Sequence, residues 1–554
     1  MNEIEVTPSA YSYPLLIKQL LHTPLHTAPE QEIVFADRLR LSYRELRQRI
    51  GRLASGLEQL GIRPGDTVAV MDWDSHRYLE CFFAVPMMGC VLQTVNVRLS
   101  PEQVLYTLNH ARPKALLIHA DFLPELSSIR ARLETVETFV LIHDGEEVVA
   151  EKDFSAQYEP LVASGDAGFE FPDFSENTRA TTFYTTGTTG RPKGVYYSHR
   201  QLVLHTLACS AALALPASQG RFHRGDVYMP ITPMFHVHAW GNPYAATLAG
   251  VKQVYPGRYA PDRLLELFRR EGVTFSHCVP TILQMVLDEA DRQDVDLSGW
   301  KIVVGGSALP AGLARRAMDR GVDVFSGYGM SETGPQLAMA QLRSSELTGQ
   351  PDEEIAYRTR TGLPVPLVDL RIVDGDMRDV PHDGEQTGEV VVRAPWLTQG
   401  YLGDPQASEG LWAGGYLHTG DVARITPDGY LKITDRLKDV IKTGGEWVSS
   451  LELEDILSQH PSVKEAAVIG VPDERWGERP LALVVAYEAD GLRCSEKELK
   501  AHVADFAERG VVSRYAVPDR IQFVDALERT SVGKLDKKRM RVRYCPPTDE
   551  VAAE

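Results

Sequence analysis

Residues 183–194 read Phe-Tyr-Thr-Thr-Gly-Thr-Thr-Gly-Arg-Pro-Lys-Gly and gather hydroxyls, glycines and fixed positive charge in one short loop. That composition suits a phosphate. Gly187, Gly190 and Gly194 let backbone N–H groups approach an anion; Thr185, Thr186, Thr188 and Thr189 supply hydroxyl donors and Lys193 a cation. The usual nucleotide loop has Gly-Lys-Ser/Thr opening into a helix, whereas Lys193 here is followed by Gly194. Pro192 pushes Arg191 toward extended backbone and Val195-Tyr196-Tyr197 has strand character, so the loop is expected to join two strands and to be able to move. Any four of these residues alone would make an ordinary solvated turn.

Further along, a strand-like run at 301–304 leads into Gly305-Gly306-Ser307-Ala308, and some twenty residues later comes Ser326-Gly327-Tyr328-Gly329-Met330-Ser331-Glu332-Thr333-Gly334. A glycine-permitted turn can lay Tyr328 against an adenine ring, with Ser331 and Thr333 as phosphate donors and Glu332 as a hard oxygen ligand for Mg²⁺. Asp421, in His-Thr-Gly-Asp, carries a carboxylate able to accept from both ribose hydroxyls. The run 229–238 reads as an apolar, strand-like segment ending in His236 and His238. Two histidines without a third ligand at fixed spacing do not make a zinc site. Residues 433–447 alternate charge densely before the pair Gly444-Gly445, as a chain does where it must absorb a rotation.

The run YTTGTTGRPKG resembles the phosphate loop of the adenylate-forming enzymes, which include acyl-CoA synthetases, luciferases and nonribosomal adenylation domains. GYGMSETG, HTGD and Gly533-Lys534 follow in the order of that family, and the resemblance extends over about residues 20–545. It implies that Thr185, Thr186, Gly187, Thr188, Thr189, Gly190, Lys193, Gly306, Ser307, Ala308, Ser326, Gly327, Tyr328, Gly329, Ser331, Thr333, Asp421, Arg436, Lys438 and Lys442 bind ATP or AMP. Thr185 and Glu332 would hold Mg²⁺, and Lys534, Glu332 and His236 would be catalytic. His236, Trp240, Gly241, Gly306 and Gly329 would line the acyl site, with Trp240 closing its tunnel, although an aromatic there could equally be core packing. Gly444, Gly445 and Trp447 would bind coenzyme A, and Asp435 would be the hinge of a swinging C-terminal domain. Residue choices such as PMFHVHAW and DERWGERPLALVV look closest to bacterial medium- and long-chain fatty acyl-CoA synthetases.

The elements that must position these groups alternate helix and strand. A Ser42-x-x-Glu45 capping box opens a helix over 41–60, a strand follows at 67–71, a helix at 76–88 and a strand at 115–119. Residues 140–180 read as a connecting excursion. Beyond the hinge, a helix at 451–459, strands at 463–471 and 481–487 and a helix at 496–508 suggest a small α+β domain. The expected fold is α/β, with a large domain over 1–434 made of layered sheets and helices and a mobile α+β domain over 435–554. At 554 residues, 43% of them apolar, the chain has material for more than one core. A formal charge of −18 argues against nucleic acid as a partner. Six cysteines without paired spacing suit free thiols in the cytoplasm. The acidic start does not suit a signal peptide, and no apolar run is long enough for a membrane span.

The resemblance implies an ATP- and Mg²⁺-dependent ligase that makes acyl-AMP from a medium- or long-chain acid and passes the acyl group to coenzyme A, often as a homodimer through the N-terminal domain. The rivals are an acyl-AMP ligase loading a carrier protein, a coenzyme A ligase for short, thioether or aromatic acids with Asn242 near the pocket reading a polar group, and a non-catalytic nucleotide-binding regulator. Lys534 and Glu332 speak against the last, since a sensor needs no transition-state cation.

Overall fold

A computed structural model describes residues 1–145, 153–185, 191–215, 221–443, 446–487, 494–530 and 533–545. Two large sheets organise the first three quarters of the chain. One orders the strands Ala156–Gln157, Thr138–Ile142, Ala115–His119, Thr67–Met71, Val91–Thr94, Arg179–Tyr184 and Gly194–Ser198, all parallel except the last pair. The other runs Val227–Tyr228, Phe275–Cys278, Lys301–Val304 and Asp323–Gly329 in parallel. Most residues of their central strands are buried on both faces because helices cover both sides, as does His76–Met87, which is buried along its whole length. Parallel sheets open their ligand crevices at the carboxyl ends of the strands. Here those ends carry Thr185, Gly305 and Tyr328.

The helix opened by Ser42 spans Tyr43–Gln59 with its capping box formed, and the strands Thr67–Met71 and Ala115–His119 stand where the pattern puts them. The stretch read as a connecting excursion is more structured than expected. It holds the strand Thr138–Ile142, whose five apolar or β-branched residues are all buried, and the helix Tyr158–Ser164. The periodicity there is too short to separate a buried strand from a loop. A four-stranded antiparallel sheet ends with Leu431–Arg436, and the next strands, from Ile441–Thr443 onward, belong to a separate five-stranded sheet with its own apolar core. Helix Ser450–Ser458, capped by Ser449, and helix Glu496–Glu508 pack on that sheet. All six cysteines are free, and among the described residues no helix is long and apolar enough to cross a membrane.

Candidate active site

Strands Arg179–Tyr184 and Gly194–Ser198 pair antiparallel with Tyr184 opposite Gly194, so the loop does join two strands. The Thr185 N–H donates to the Lys193 carbonyl at 2.9 Å and the Lys193 N–H to Thr185 Oγ1 at 3.4 Å, closing its base. Thr186, Gly187, Thr188, Thr189 and Gly190 lie outside the described residues. The Lys193 ammonium stands 4.4 Å from the centroid of the Tyr401 ring, and the Tyr401 hydroxyl donates to Glu332 Oε1 at 2.8 Å. Tyr197 Oη donates to the Ser331 carbonyl at 2.6 Å, and the Thr398 N–H to the Glu332 carbonyl at 3.1 Å. Two tyrosines and one threonine thus tie the loop's outgoing strand to the Ser331-Glu332 turn. Among the described residues no group of three or more histidines, cysteines and carboxylates gathers as for a metal ion. One buried carboxylate, Glu332, beside a phosphate loop fits Mg²⁺, which takes one or two protein oxygens and completes its shell with water and phosphate.

The second wall is built by glycines that admit nothing larger. A Cβ on Gly305 would lie 2.8 Å from the Gly327 carbonyl oxygen and 3.1 Å from the Trp240 ring, and one on Gly329 only 1.5 Å from the Pro335 carbonyl oxygen. The close approach leaves a cavity of about 30 Å³ in which His236, Trp240, Gly306, Tyr328, Gly329 and Lys534 meet. Gly327 and Ser331 share its wall. Gly241 does not; its φ of +73° serves a turn against His205. Ser307 and Ala308 are exposed beyond the cavity, and Ser326 is buried with its carbonyl accepting from the Ala340 N–H at 2.9 Å. The Thr333 hydroxyl is used within its own turn, donating to the Pro335 carbonyl at 2.5 Å and accepting from the Met330 N–H at 3.0 Å.

The segment 229–238 is not a strand. After Val227–Tyr228 it leaves the sheet, and Val237, His238, Ala239 and Trp240 follow one another at φ of 48°, 53°, 47° and 59°. Non-glycine residues in the left-handed region cost roughly 1–2 kcal/mol each, and a run of four persists only where its surroundings enforce it. Asp74 enforces the entry, accepting from the Met234 N–H at 2.8 Å and from the Tyr259 hydroxyl at 2.5 Å. The exit is fixed by Trp240 against His277, ring centroids 5.1 Å apart. The turn separates the two histidines. His238 is buried, its Nε2 2.8 Å from Thr181 Oγ1, while His236 reaches the cavity. Burial, with Lys534 and Arg98 nearby, pushes the His236 pKa down to about 3, so the ring is neutral.

Asp421, buried at the far side, accepts from the Tyr328 hydroxyl at 2.8 Å and pairs with Arg436 Nε at 3.1 Å. Lys534 arrives from the terminal sheet's side of the molecule. Burial and then Arg436 lower its pKa to about 8, while Asp421 and Glu332 pull the other way, so these four groups sense one another. Its loop is clamped. Thr281 Oγ1 donates to the Gly533 carbonyl at 3.0 Å and accepts from Arg529 Nη1 at 2.6 Å, and Arg529 Nη2 pairs with Glu465 at 2.8 Å. Gly533, at φ +84°, turns the chain so that the Lys534 Cε comes 3.2 Å from where a Cβ on Gly306 would be.

Asp435 is buried and its Oδ2 accepts from the Ser450 N–H at 2.6 Å, joining the last strand of the four-stranded sheet to the first helix of the terminal lobe. Lys442 is exposed on the hairpin Ile441–Thr443 with Glu446–Val448; its N–H donates to Glu478 of the same lobe at 2.9 Å, and it does not line the cavity. Lys438 is exposed as well. Gly444 and Gly445 lie outside the described residues, and of Trp447 only its backbone pairing with Lys442 is described. Sequence reading passed over Tyr401, Tyr197, Thr281 and Gln336, since a tyrosine or threonine in a strand or at a helix start has many structural uses. Asn242 does not line the cavity; its Nδ2 lies 3.5 Å from the Ala239 carbonyl.

The family described as AMP-binding enzyme matches residues 21–402, and the AMP-binding enzyme C-terminal domain matches residues 452–534. A long-chain-fatty-acid–CoA ligase of Thermus thermophilus is 44% identical over 510 residues, covering 91% of this chain and 90% of that protein. A 3-methylmercaptopropionyl-CoA ligase of Ruegeria lacuscaerulensis is 39% identical over 543 residues, covering 96% and 97%. The crystal structure of an anthranilate CoA ligase in complex with anthranoyl-AMP superposes with a TM-score of 0.84 at 24% identity, covering 96% of this chain and 98% of that one, and shows the shared fold. The chain belongs to the AMP-binding, adenylate-forming enzymes, as an acid–thiol ligase of their acyl-CoA ligase branch.

Proposed function

We propose that the protein activates a medium-chain, or long-chain, fatty acid with ATP and transfers the acyl group to coenzyme A. The observation that carries this reading is the meeting of Lys534 with His236, Trp240, Gly306 and Gly329 in one cavity, beside Tyr328, whose hydroxyl reaches Asp421. A carboxylate oxygen attacks the α-phosphorus, the bond from that phosphorus to the bridging oxygen breaks, and pyrophosphate leaves with the electron pair. The Lys534 ammonium stabilises the charge that gathers on the pentavalent phosphorus. Glu332 and Thr185, with the phosphates, would hold Mg²⁺, which would supply positive charge to neutralise the triphosphate. Asp421 and Arg436 hold the ribose, with Lys193 and the threonines on the phosphates. His236 stays neutral and donates its ring N–H to the substrate carboxylate without adding charge. In the second step the thiol sulfur attacks the acyl carbonyl, AMP leaves with the bonding pair, and the thiol proton goes to solvent.

The terminal lobe turns about Asp435 between the two steps, exchanging Lys534 for the Gly444-Gly445 hairpin with Trp447, Lys438 and Lys442 on the nucleotide and pantetheine side. The protein works in the cytoplasm as a homodimer through its N-terminal region, which sedimentation at working concentration tests. A second reading, a coenzyme A ligase for short or thioether acids, is favoured by the similarity to the 3-methylmercaptopropionyl-CoA ligase. A panel of carboxylic acids, with AMP release measured with and without coenzyme A, decides. Octanoate and longer acids should outrun short, thioether and aromatic ones, and release that ignored coenzyme A but needed a carrier protein would overturn the reading.

A further inference from the structure

The cavity that takes in Lys534 is walled largely by glycine and apolar groups, among them Val237, Trp240, Val303 and Gly305. Gln336 breaks that pattern. It lies on the same wall, opposite Gly329 in the antiparallel pairing, and is only 4% exposed. Its backbone N–H donates to His205 Nε2 at 3.3 Å, yet its side-chain Oε1 and Nε2 are both buried with no hydrogen-bond partner among the described residues. Buried primary amides in folded proteins almost always find partners, because taking the amide from water without one is costly. An amide with both ends unmatched among the described residues, on the wall of a cavity, can pair with a ligand there.

We infer that Gln336 recognises a hydrogen-bonding group on the acyl substrate, so that the preferred acid is not a plain alkyl chain but carries a hydroxyl near its carboxyl end. The position follows from the shared lining. Lys534 and Gln336 both border one cavity. A substrate whose carboxylate meets Lys534 therefore passes Gln336 on the carboxyl side of its chain. The chemistry follows from the amide, whose oxygen accepts and whose nitrogen donates. A hydroxyl satisfies both, a ketone only the nitrogen, and a thioether sulfur only weakly. The sequence had offered Asn242 for such a role, but Asn242 lies off the cavity and Gln336 on it. This inference rests on the ligase reading and on the carboxylate lying at Lys534.

The test compares kcat/KM for coenzyme A-dependent AMP release from octanoate and from its 2-, 3-, 4- and 5-hydroxy derivatives, in the wild type and in Gln336→Leu and Gln336→Met. Reading the ratio of hydroxy acid to plain acid within each protein cancels any loss of folded enzyme. The wild type should favour one hydroxy isomer over octanoate by about tenfold or more, and both variants should bring that ratio to one or below. Equal use of all five acids by the wild type would overturn the inference, as would a preference that survived in both variants, which would mean that water satisfies the amide. If octanoate and every hydroxy acid failed to release AMP while another acid class did, the medium-chain reading would fall together with this one; a plain-acid preference with normal coenzyme A dependence would sink only this one.

Discussion

The terminal lobe carries two lysine-bearing segments close to glycines, and they stand in different places. The loop ending in Lys534 is docked: Thr281 of the large lobe grips the Gly533 carbonyl and Arg529, and Lys534 lies over Gly306 in the cavity. The hairpin bearing Lys442 instead joins its own lobe's sheet, Thr443 opposite Gly477, and Lys442 is exposed. Of the two lysines only Lys534 lines the cavity. The orientation described suits the acyl-AMP step of the proposed cycle, in which a cation sits at phosphorus. In that cycle the thioester step would use the other segment after a turn of the lobe. Asp455 reinforces this orientation by accepting from the Ala311 N–H, at the start of a large-lobe helix, at 2.9 Å.

The contrast breaks most sharply at Lys534. Lys534→Ala should slow acyl-AMP formation by about 10²–10³-fold, the loss typical of removing one preorganised charge-stabilising donor, while thioester formation from supplied acyl-AMP stays within about twofold. Equal losses in both half-reactions would refute the alternation. Thr281→Val keeps the shape but removes the hydroxyl that docks the loop. We expect about a tenfold slower acyl-AMP step in single-turnover measurements, an unchanged thioester step, and recovery in Thr281→Ser. A Trp240→Ala variant sharpens a different point. It should broaden the acyl-length profile severalfold toward longer chains, and an unchanged profile in a competition assay would return Trp240 to a packing role.

The smallest expected effect is on pH. Because burial lowers the Lys534 pKa from its usual 10.5 to about 8, the ammonium is present below that pH and is lost as pH rises through it. The kcat/KM for acyl-AMP formation should therefore fall above about pH 8, and Lys534→Arg, though slower, should lack that limb. Stability moves in the opposite sense. The unfolded lysine holds its proton more tightly, so this one group adds stability as pH rises from about 8 toward 10.5, and unfolding midpoints across that window would show the sign.

Much of this was legible from residue order. Gly327 and Gly329 marked the Tyr328 segment, although the turn expected there is the strand Asp323–Gly329, in which a Cβ on them would come 2.8 Å from the Val303 side chain and 1.5 Å from the Pro335 carbonyl oxygen, respectively. The Ser42–Glu45 capping box and the short strands were readable because they depend on residues three or four positions apart or fewer. The run at 229–238 was misread for the converse reason. Its apolar residues have strand composition, but Asp74 and His277, remote in sequence, hold it in a left-handed turn. Gln336 looked like one more polar residue after a glycine-rich motif. Only its burial without a partner distinguishes it.

By itself the sequence offered a glycine- and threonine-rich loop with Lys193 suited to phosphate and a carboxylate, Glu332, suited to a hard cation, both properties of residue types and local spacing. The roles expected of Asp421 and Lys534 came from the resemblance to the adenylate-forming enzymes. The tertiary structure decided which groups meet, putting Lys534 rather than Lys442 against Gly306, His236 rather than His238 in the cavity, and Gln336 rather than Asn242 on its wall. The reason is that each choice turns on contacts between segments far apart along the chain, where close packing and hydrogen-bond matching, not local propensity, set the outcome.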